Sequence, residues 1–370
     1  MAAACVSRPE GTRWGGDYRA TAVFGDTDEE AVSGIMLGGI AVVDSIVYVM
    51  ESGRPALWLL HPDLSVIRRV GRQGDGPGEW RSFGAFTQGG SMRRVSASAD
   101  GVRIFDGQRV QELDRNGRFR RLLVNGGTSE SLSHLQSRLV FVGDTLFYSA
   151  GGYDPLSSAA TGKVLAIGAA RETGRDGRRP WAVRMRVDDQ DQALLQLDLV
   201  PVRGKSGVGP AQALPLWDSN GSCVVASDGA EPLLVFAPVG RRQDTVQVPL
   251  PERVDRNENY VDKLGGLVPP GGLEQPTAPT RVIDLVLDPD GFVWLLPVQQ
   301  DEPISGGLEV IRVPLGAGTA VMDTVPAFPR AFGPPGVYFA GTRGPNDEIF
   351  VMRYEREEST GPPNLERVQR

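Results

Sequence analysis

Cysteine and histidine are nearly missing from this chain of 370 residues, which holds two of each. Cys5 and Cys223 are too few for a disulfide framework or a cysteine-rich zinc site. His61 and His134 are too few for chemistry that needs several imidazoles or a histidine-rich metal centre. Lysine is scarce too: Lys163, Lys205 and Lys263 are the only ones among 39 basic residues, so the positive charge is almost all arginine. No apolar run reaches the roughly 18 residues a membrane helix requires. The most hydrophobic stretch, from Leu37 to Met50, is interrupted by Asp44. Long helical patterns are absent, which argues against βαβ units and a dinucleotide-binding fold. There is no Gly-x-Ser-x-Gly elbow for serine catalysis.

The charge balance excludes a further class. The net charge of −7 repels phosphate backbones, so no nucleic-acid partner is expected. The cluster Arg171, Arg175, Arg178, Arg179, Arg184 and Arg186 lacks the aromatic interleaving that stacks bases, apart from Trp181. It reads as a solvated loop and strand face.

What the chain has in excess is turn chemistry: 47 glycines and 28 prolines with no collagen-like period. Between the turns lie short apolar or alternating runs. Ile40–Val43 and Ile46–Met50 flank Asp44-Ser45, and Ala56–Leu60 and Ser65–Val70 flank His61-Pro62-Asp63-Leu64. Arg94–Ser98 turns at Ala99-Asp100-Gly101 into Val102–Phe105, and Val110–Leu113 turns at Asp114–Gly117 into Phe119–Leu123. Four more hairpins are expected, with turns at Gly143-Asp144, Asp218–Gly221, Asp288–Gly291 and near Asn346-Asp347. Counting one leading hairpin for each of the first two four-strand units, that makes six at intervals of roughly 45 to 75 residues, the spacing of four-stranded propeller blades with insertions. Two insertions are expected, at Glu172–Pro180 and at Glu252–Thr280, with a short helix in Val254–Leu267. The fold class is therefore all-β, a β-propeller of four-stranded antiparallel blades. Its expected organisation is a tail over 1–16, one propeller domain over 17–354 and a polar tail over 355–370.

After the fourth strand comes Val70-Gly71-Arg72-Gln73-Gly74-Asp75-Gly76-Pro77-Gly78-Glu79-Trp80. A phosphate loop would need Gly-Lys-Ser/Thr opening a helix. Here Gly78 precedes Glu79 and Trp80, no helical pattern follows, and two acids would repel phosphate. The stretch reads instead as the crossing from one blade to the next, with Trp80 plugging apolar surface between them. Gly71-Arg72-x-Gly74-x-Gly76-Pro77-Gly78-Glu79-Trp80 resembles the loop of bacterial six-bladed β-propellers of the NHL-repeat type, over about residues 20 to 353. The resemblance implies six blades in a ring, closed by an N-terminal strand over Tyr18–Phe24 beside Ile349–Tyr354.

It also implies a monomeric, non-catalytic binding propeller of the cell envelope, with a protein, small-molecule or carbohydrate ligand held at the funnel mouth. Arg72, Gln73, Asp75 and Glu79 are the candidate ligand-binding residues on that rim. The alternative it implies is a lactonase-like or sugar-acid hydrolase propeller with a divalent ion such as calcium on the axis; no cofactor is otherwise expected. Asp288-Pro289-Asp290-Gly291 looks like a fragment of a calcium loop but lacks the closing Glu, and a hairpin turn explains it. Ala3-Ala4-Cys5 resembles the end of a bacterial lipoprotein signal, which makes Cys5 the candidate lipidation site and the periplasm or envelope the expected location; the alternative is a chance tail of small residues, with a cytoplasmic location if Met1 is the true start and no signal exists.

Overall fold

A computed structural model of the protein describes residues 18–25, 37–51, 55–80, 95–105, 109–125, 140–142, 145–150, 164–169, 179–187, 190–199, 216–219, 224–227, 233–236, 242–246, 282–297, 307–315, 319–343 and 349–357. All the elements among them are strands, and none of the described residues is helical. The segments expected as a helix (254–267) and as the carriers of Cys5, Cys223 and His134 lie outside the described residues.

Strand β1 (Tyr18–Phe24) stands apart from its sequence neighbours. The first sheet runs β2 (Leu37–Val43), β3 (Ile46–Glu51), β4 (Leu57–Leu60), β5 (Val66–Val70), each antiparallel to the next. The second runs β6 (Val95–Ser98), β7 (Gly101–Phe105), β8 (Arg109–Leu113), β9 (Phe119–Asn125) in the same manner. The third comprises β10 (Val140–Val142), β11 (Thr145–Ala150), β12 (Val164–Ala169), β13 (Arg179–Val187) and β14 (Gln190–Leu199). The fourth comprises β15 (Leu216–Ser219), β16 (Val224–Ser227), β17 (Leu233–Phe236) and β18 (Arg242–Val246). The fifth comprises β19 (Val282–Leu287), β20 (Phe292–Pro297), β21 (Leu308–Pro314) and β22 (Val321–Val325). The last is β23 (Ala331–Phe332), β24 (Val337–Arg343) and β25 (Ile349–Arg356), and β1 pairs antiparallel with β25 on its far side, Tyr18 opposite Arg356 and Phe24 opposite Val351.

Among the described residues, neighbouring sheets stack face to face at four places, the alternation of side chains along the inner strands supplying the buried faces. Tyr48, Met50, Leu57 and Leu59 of the first sheet meet Val95, Val102, Ile104 and Leu113 of the second. On the first sheet's other face, Ile40, Val47, Val49, Trp58 and Leu60 meet Phe24, Phe339 and Val351 of the last. Leu285, Val293 and Ile311 of the fifth sheet enclose Val225 of the fourth. The leading strands also touch: β2 meets both β6 and β23, and β15 meets both β10 and β19. Four-stranded antiparallel sheets, packed face to face with their leading strands adjoining, make a β-propeller arrangement.

The structure departs from the expectations at several points. The third sheet has five strands and includes a parallel pair, β11 with β12. Part of the expected insertion, Arg179-Pro180, opens strand β13. Asp218 and Ser219 belong to strand β15, opposite Val225 and Val224, and not to the turn. The hairpin over 336–352 is the second and third strands of the last sheet; its leading strand is the two-residue β23, too short to leave an alternation in the sequence. Strand β25 runs from Ile349 to Arg356.

The turns explain why the strands end where they do. Leu64 N–H donates to His61 O (2.9 Å), Gly117 N–H to Asp114 O (2.9 Å), and Gly291 N–H to Asp288 O (3.2 Å). In each, an aspartate side chain takes further backbone donors: Asp63 from Ser65, Asp114 from Asn116 and Arg118, Asp288 from Phe292. Asp288-Pro289-Asp290-Gly291 is thus a hairpin turn, with Asp288 Oδ1 and Oδ2 accepting from Phe292 N–H (2.8 Å) and Trp294 Nε1–H (2.9 Å).

Candidate functional site

In an antiparallel four-stranded sheet, the link leaving the fourth strand and the link between the second and third lie at the same end. The crossing that starts at Gly71 therefore shares its end of the structure with Glu51, the last residue of β3, and with Arg109, the first residue of β8. Strand β8 reads Arg-Val-Gln-Glu-Leu, and positions 109, 111 and 113 fall on one face. Leu113 enters the core against the first sheet, while Arg109 and Gln111 rise from that core toward the crossing.

The crossing is bound to them through its backbone. Arg109 Nη1 donates to Asp75 O (2.6 Å), and its Nη2 to Glu79 O (3.2 Å) and Gly74 O (3.3 Å). Gln111 Nε2 donates to Glu79 O (2.6 Å), and Gly78 N–H donates back to Gln111 Oε1 (3.1 Å). Within the loop, Trp80 N–H reaches Arg72 O (3.0 Å) and Gly74 N–H reaches Trp80 O (3.2 Å). Trp80 itself is 1% exposed and sits in the core between the first two sheets, the plug expected from the sequence. Its ring lies under Gly71, whose φ of +96° and missing Cβ permit the approach.

The four rim residues thus divide. Glu79 accepts from Gly76 N–H (2.9 Å) and pairs with Arg72, so its carboxylate serves the loop's own shape. The Gly76 N–H, helped by Arg72, holds that carboxyl below its ordinary pKa despite some desolvation. Arg72, with 79% of its side chain exposed, reaches out from the Glu79 pair into solvent. Gln73 and Asp75 are also exposed, on the same loop. Arg109 and Gln111 were not read from the sequence. The signal was present: an arginine and a glutamine at alternate positions of a short strand that ends on leucine need buried polar partners.

Other polar groups are built into the sheets. Arg103 and Glu112, cross-strand partners, form a buried pair (3.4 Å), and Arg121 adds to it from β9 (3.2 Å). Burial works to raise the Glu112 carboxyl, and Arg121 and Arg103 outweigh it, leaving the group below its ordinary value. On the leading strands, Asp218 Oδ2 accepts from Leu287 N–H of β19 (2.7 Å), and Asp284 of β19 pairs with Arg330, next to β23. Each of these carboxylates ties one leading strand to the next. His61 is exposed in its turn. Among the described residues no three histidine, cysteine, aspartate or glutamate side chains converge as a metal site, and no helix is long and apolar enough to cross a membrane.

No protein-family model matches the sequence, and no curated protein matches it either. Solved structures of similar shape include a member of the DUF4221 family from Bacteroides vulgatus, 9% identical over 93% of this chain and 99% of that one, with a TM-score of 0.46. Others are the WD40 domain of Neurospora crassa Pan2 (8% identity, 94% and 98% covered, TM-score 0.44) and BamB of Moraxella catarrhalis (9%, 88% and 85%, TM-score 0.36). The propeller arrangement rests on the strand order and sheet packing above, not on these likenesses.

Proposed function

We propose that the six sheets are the blades of one ring, closed by β1, and that the protein is a non-catalytic binding propeller. Its ligand, a protein or a polar small molecule such as a carbohydrate, docks on the face that carries the Gly71–Trp80 crossing. The observation that carries this reading is the locked loop: exposed Arg72, Gln73 and Asp75 ride on a backbone fixed by Arg109 and Gln111. A loop ordered before binding loses little entropy on contact, which favours recognition. The cell-envelope location, with lipidation at Cys5, belongs to the same reading and rests on the Ala3-Ala4-Cys5 sequence alone.

The test is binding to a panel of immobilised glycans and to envelope extract, by the wild type and by the triple variant Arg72→Ala, Gln73→Ala, Asp75→Ala. Loss of about tenfold in affinity, equivalent to about 1.4 kcal/mol, with an unchanged melting temperature supports the rim site. Equal binding by both proteins moves the site off this loop. Elemental analysis with melts in chelator runs beside it. A stoichiometric divalent metal whose removal lowers the melt would replace this reading with the lactonase-like one.

A further inference from the structure

The core between the fifth and last sheets gathers four buried polar atoms that complete no hydrogen bond among the described residues, where the core of the first two sheets has only Trp80 Nε1. Other buried aromatic polar groups reach acceptors: Tyr48 donates to Arg115 O (2.9 Å) and Trp58 to Glu51 in the first sheet, and Trp294 in this core to Asp288. Tyr18 of β1 is 8% exposed, and its hydroxyl makes no hydrogen bond to any described residue. Its ring stands edge-on to Tyr338, centroids 5.0 Å apart, and Tyr338 is fully buried. The Tyr338 hydroxyl faces the Ala327 N–H without hydrogen-bond geometry. Arg312 Nε and Asp323 Oδ2 lie 3.1 Å apart but off the N–H axis, so neither atom completes a hydrogen bond. Arg312 in turn lies over the Trp294 ring (5.2 Å), which touches Tyr338 (6.3 Å between centroids).

Burial raises the Tyr18 hydroxyl to about 12 and Tyr338 higher, so both stay protonated as donors. Burial also outweighs attraction in the Arg312–Asp323 pair: the arginine is shifted down and the aspartate up. Such groups are rarely left unmet in a native fold, and small polar spaces with two to four partners hold water. The charges choose the occupant. Tyr18 feels Arg312 and Arg356 on one side and Asp323 and Asp288 on the other. A cation meets two arginines and an anion two carboxylates, whereas water both donates to Asp323 and accepts from a hydroxyl or Arg312.

The geometry points to an enclosed water site between the Tyr18 and Tyr338 hydroxyls and the Arg312–Asp323 pair, a site that ties β1 to the fifth sheet. It also fixes register, because a two-residue slip of β1 would bring Ala20, which has no polar side chain, to the place of Tyr18. The inference stands independently of the binding reading.

The test uses Tyr18→Phe, Tyr338→Phe and the double variant of the full chain, followed by calorimetry. A hydroxyl that binds water is missed when removed, so each single variant melts lower, by about 2 °C for a chain of this size. Because the two hydroxyls share one water, the double variant loses clearly less than the sum of the singles. A crystal structure of the wild type should show density within hydrogen-bond reach of Tyr18 Oη that disappears in Tyr18→Phe. An unchanged or raised melting temperature in Tyr18→Phe would mean that the hydroxyl is simply unmet and would overturn the site. Additive losses, or no density in the wild type, would overturn it equally.

Discussion

Gly71 and Gly78 both have positive φ, +96° and +72°, on the same loop, yet alanine should affect them very differently. A Cβ on Gly71 would lie 2.1 Å from Trp80 Cζ2 and 2.4 Å from Cη2, whereas on Gly78 the nearest atom is Phe119 Cβ at 3.5 Å. Gly78→Ala therefore meets only the conformational penalty, about 1–2 kcal/mol. The stiffer unfolded chain gives back about 0.4–1 kcal/mol, so the net loss is about 1 kcal/mol. Gly71→Ala has a comparable backbone penalty and must also push aside a tryptophan that is 1% exposed. Removing a core tryptophan altogether costs about 3–5 kcal/mol, and displacing it from part of its contacts roughly half of that. Gly71→Ala should thus lose about 3 kcal/mol, some 2 kcal/mol more than Gly78→Ala. Guanidinium unfolding followed by circular dichroism gives both values, provided the m-values agree. Tryptophan emission should shift to the red in Gly71→Ala alone. Equal destabilisation of the two variants would refute the account of Trp80 as a plug seated under Gly71.

Two further outcomes test other parts of the structure. Removing residues 1–25 takes Phe24 and Tyr18 out of two separate cores and bares the β25 edge; at about 3 kcal/mol or more for each aromatic, the melt should fall steeply. An unchanged melting temperature would rule out closure by β1. The Asp288 carboxyl is raised to about 6 by burial, against an ordinary value near 4, so folding disfavours its charged form. The folded chain holds that proton between pH 4 and 6, and this group's contribution to stability falls as pH rises through the window. From the linkage of about 1.4 kcal/mol per pKa unit, wild type should gain about 3 kcal/mol on Asp288→Asn as pH drops from 7 to 4. Parallel stability profiles in urea titrations would contradict this.

The strands and hairpins of the first two sheets were legible because each strand is bounded by its own turn signal. Asp44-Ser45, His61–Leu64, Asp100-Gly101 and Asp114–Gly117 all stand between runs of the right period. β1 was legible only through the resemblance, since its pairing with β25 spans more than 300 residues and leaves no local mark. Ala331–Phe332 was missed because two residues carry no period. Asp218 was assigned to a turn on propensity, yet its carboxylate is wanted in the strand to accept from Leu287 N–H. The site followed the same pattern. The rim loop stood out by its glycines, while Arg109 and Gln111 came from another sheet some 30 residues on, a distance over which composition gives no pairing.

That division bears on which residues of the loop can report binding. Glu79 looks like a rim acid in the sequence, but its carboxylate caps Gly76 N–H and pairs with Arg72, and its carbonyl takes Arg109 and Gln111. Changing Glu79 would therefore alter the loop's shape and any contact together, and the two effects would be inseparable in a binding assay. Arg72 has a mixed role, since one Nη holds Glu79 while most of the side chain is in solvent. Gln73 and Asp75 lend the lock their backbone: Asp75 through its carbonyl to Arg109, Gln73 through its bridge to Trp80. The Gln73 side chain can be truncated with Arg109, Gln111 and Trp80 left in place, so a loss of affinity there with an unchanged melt separates recognition from architecture.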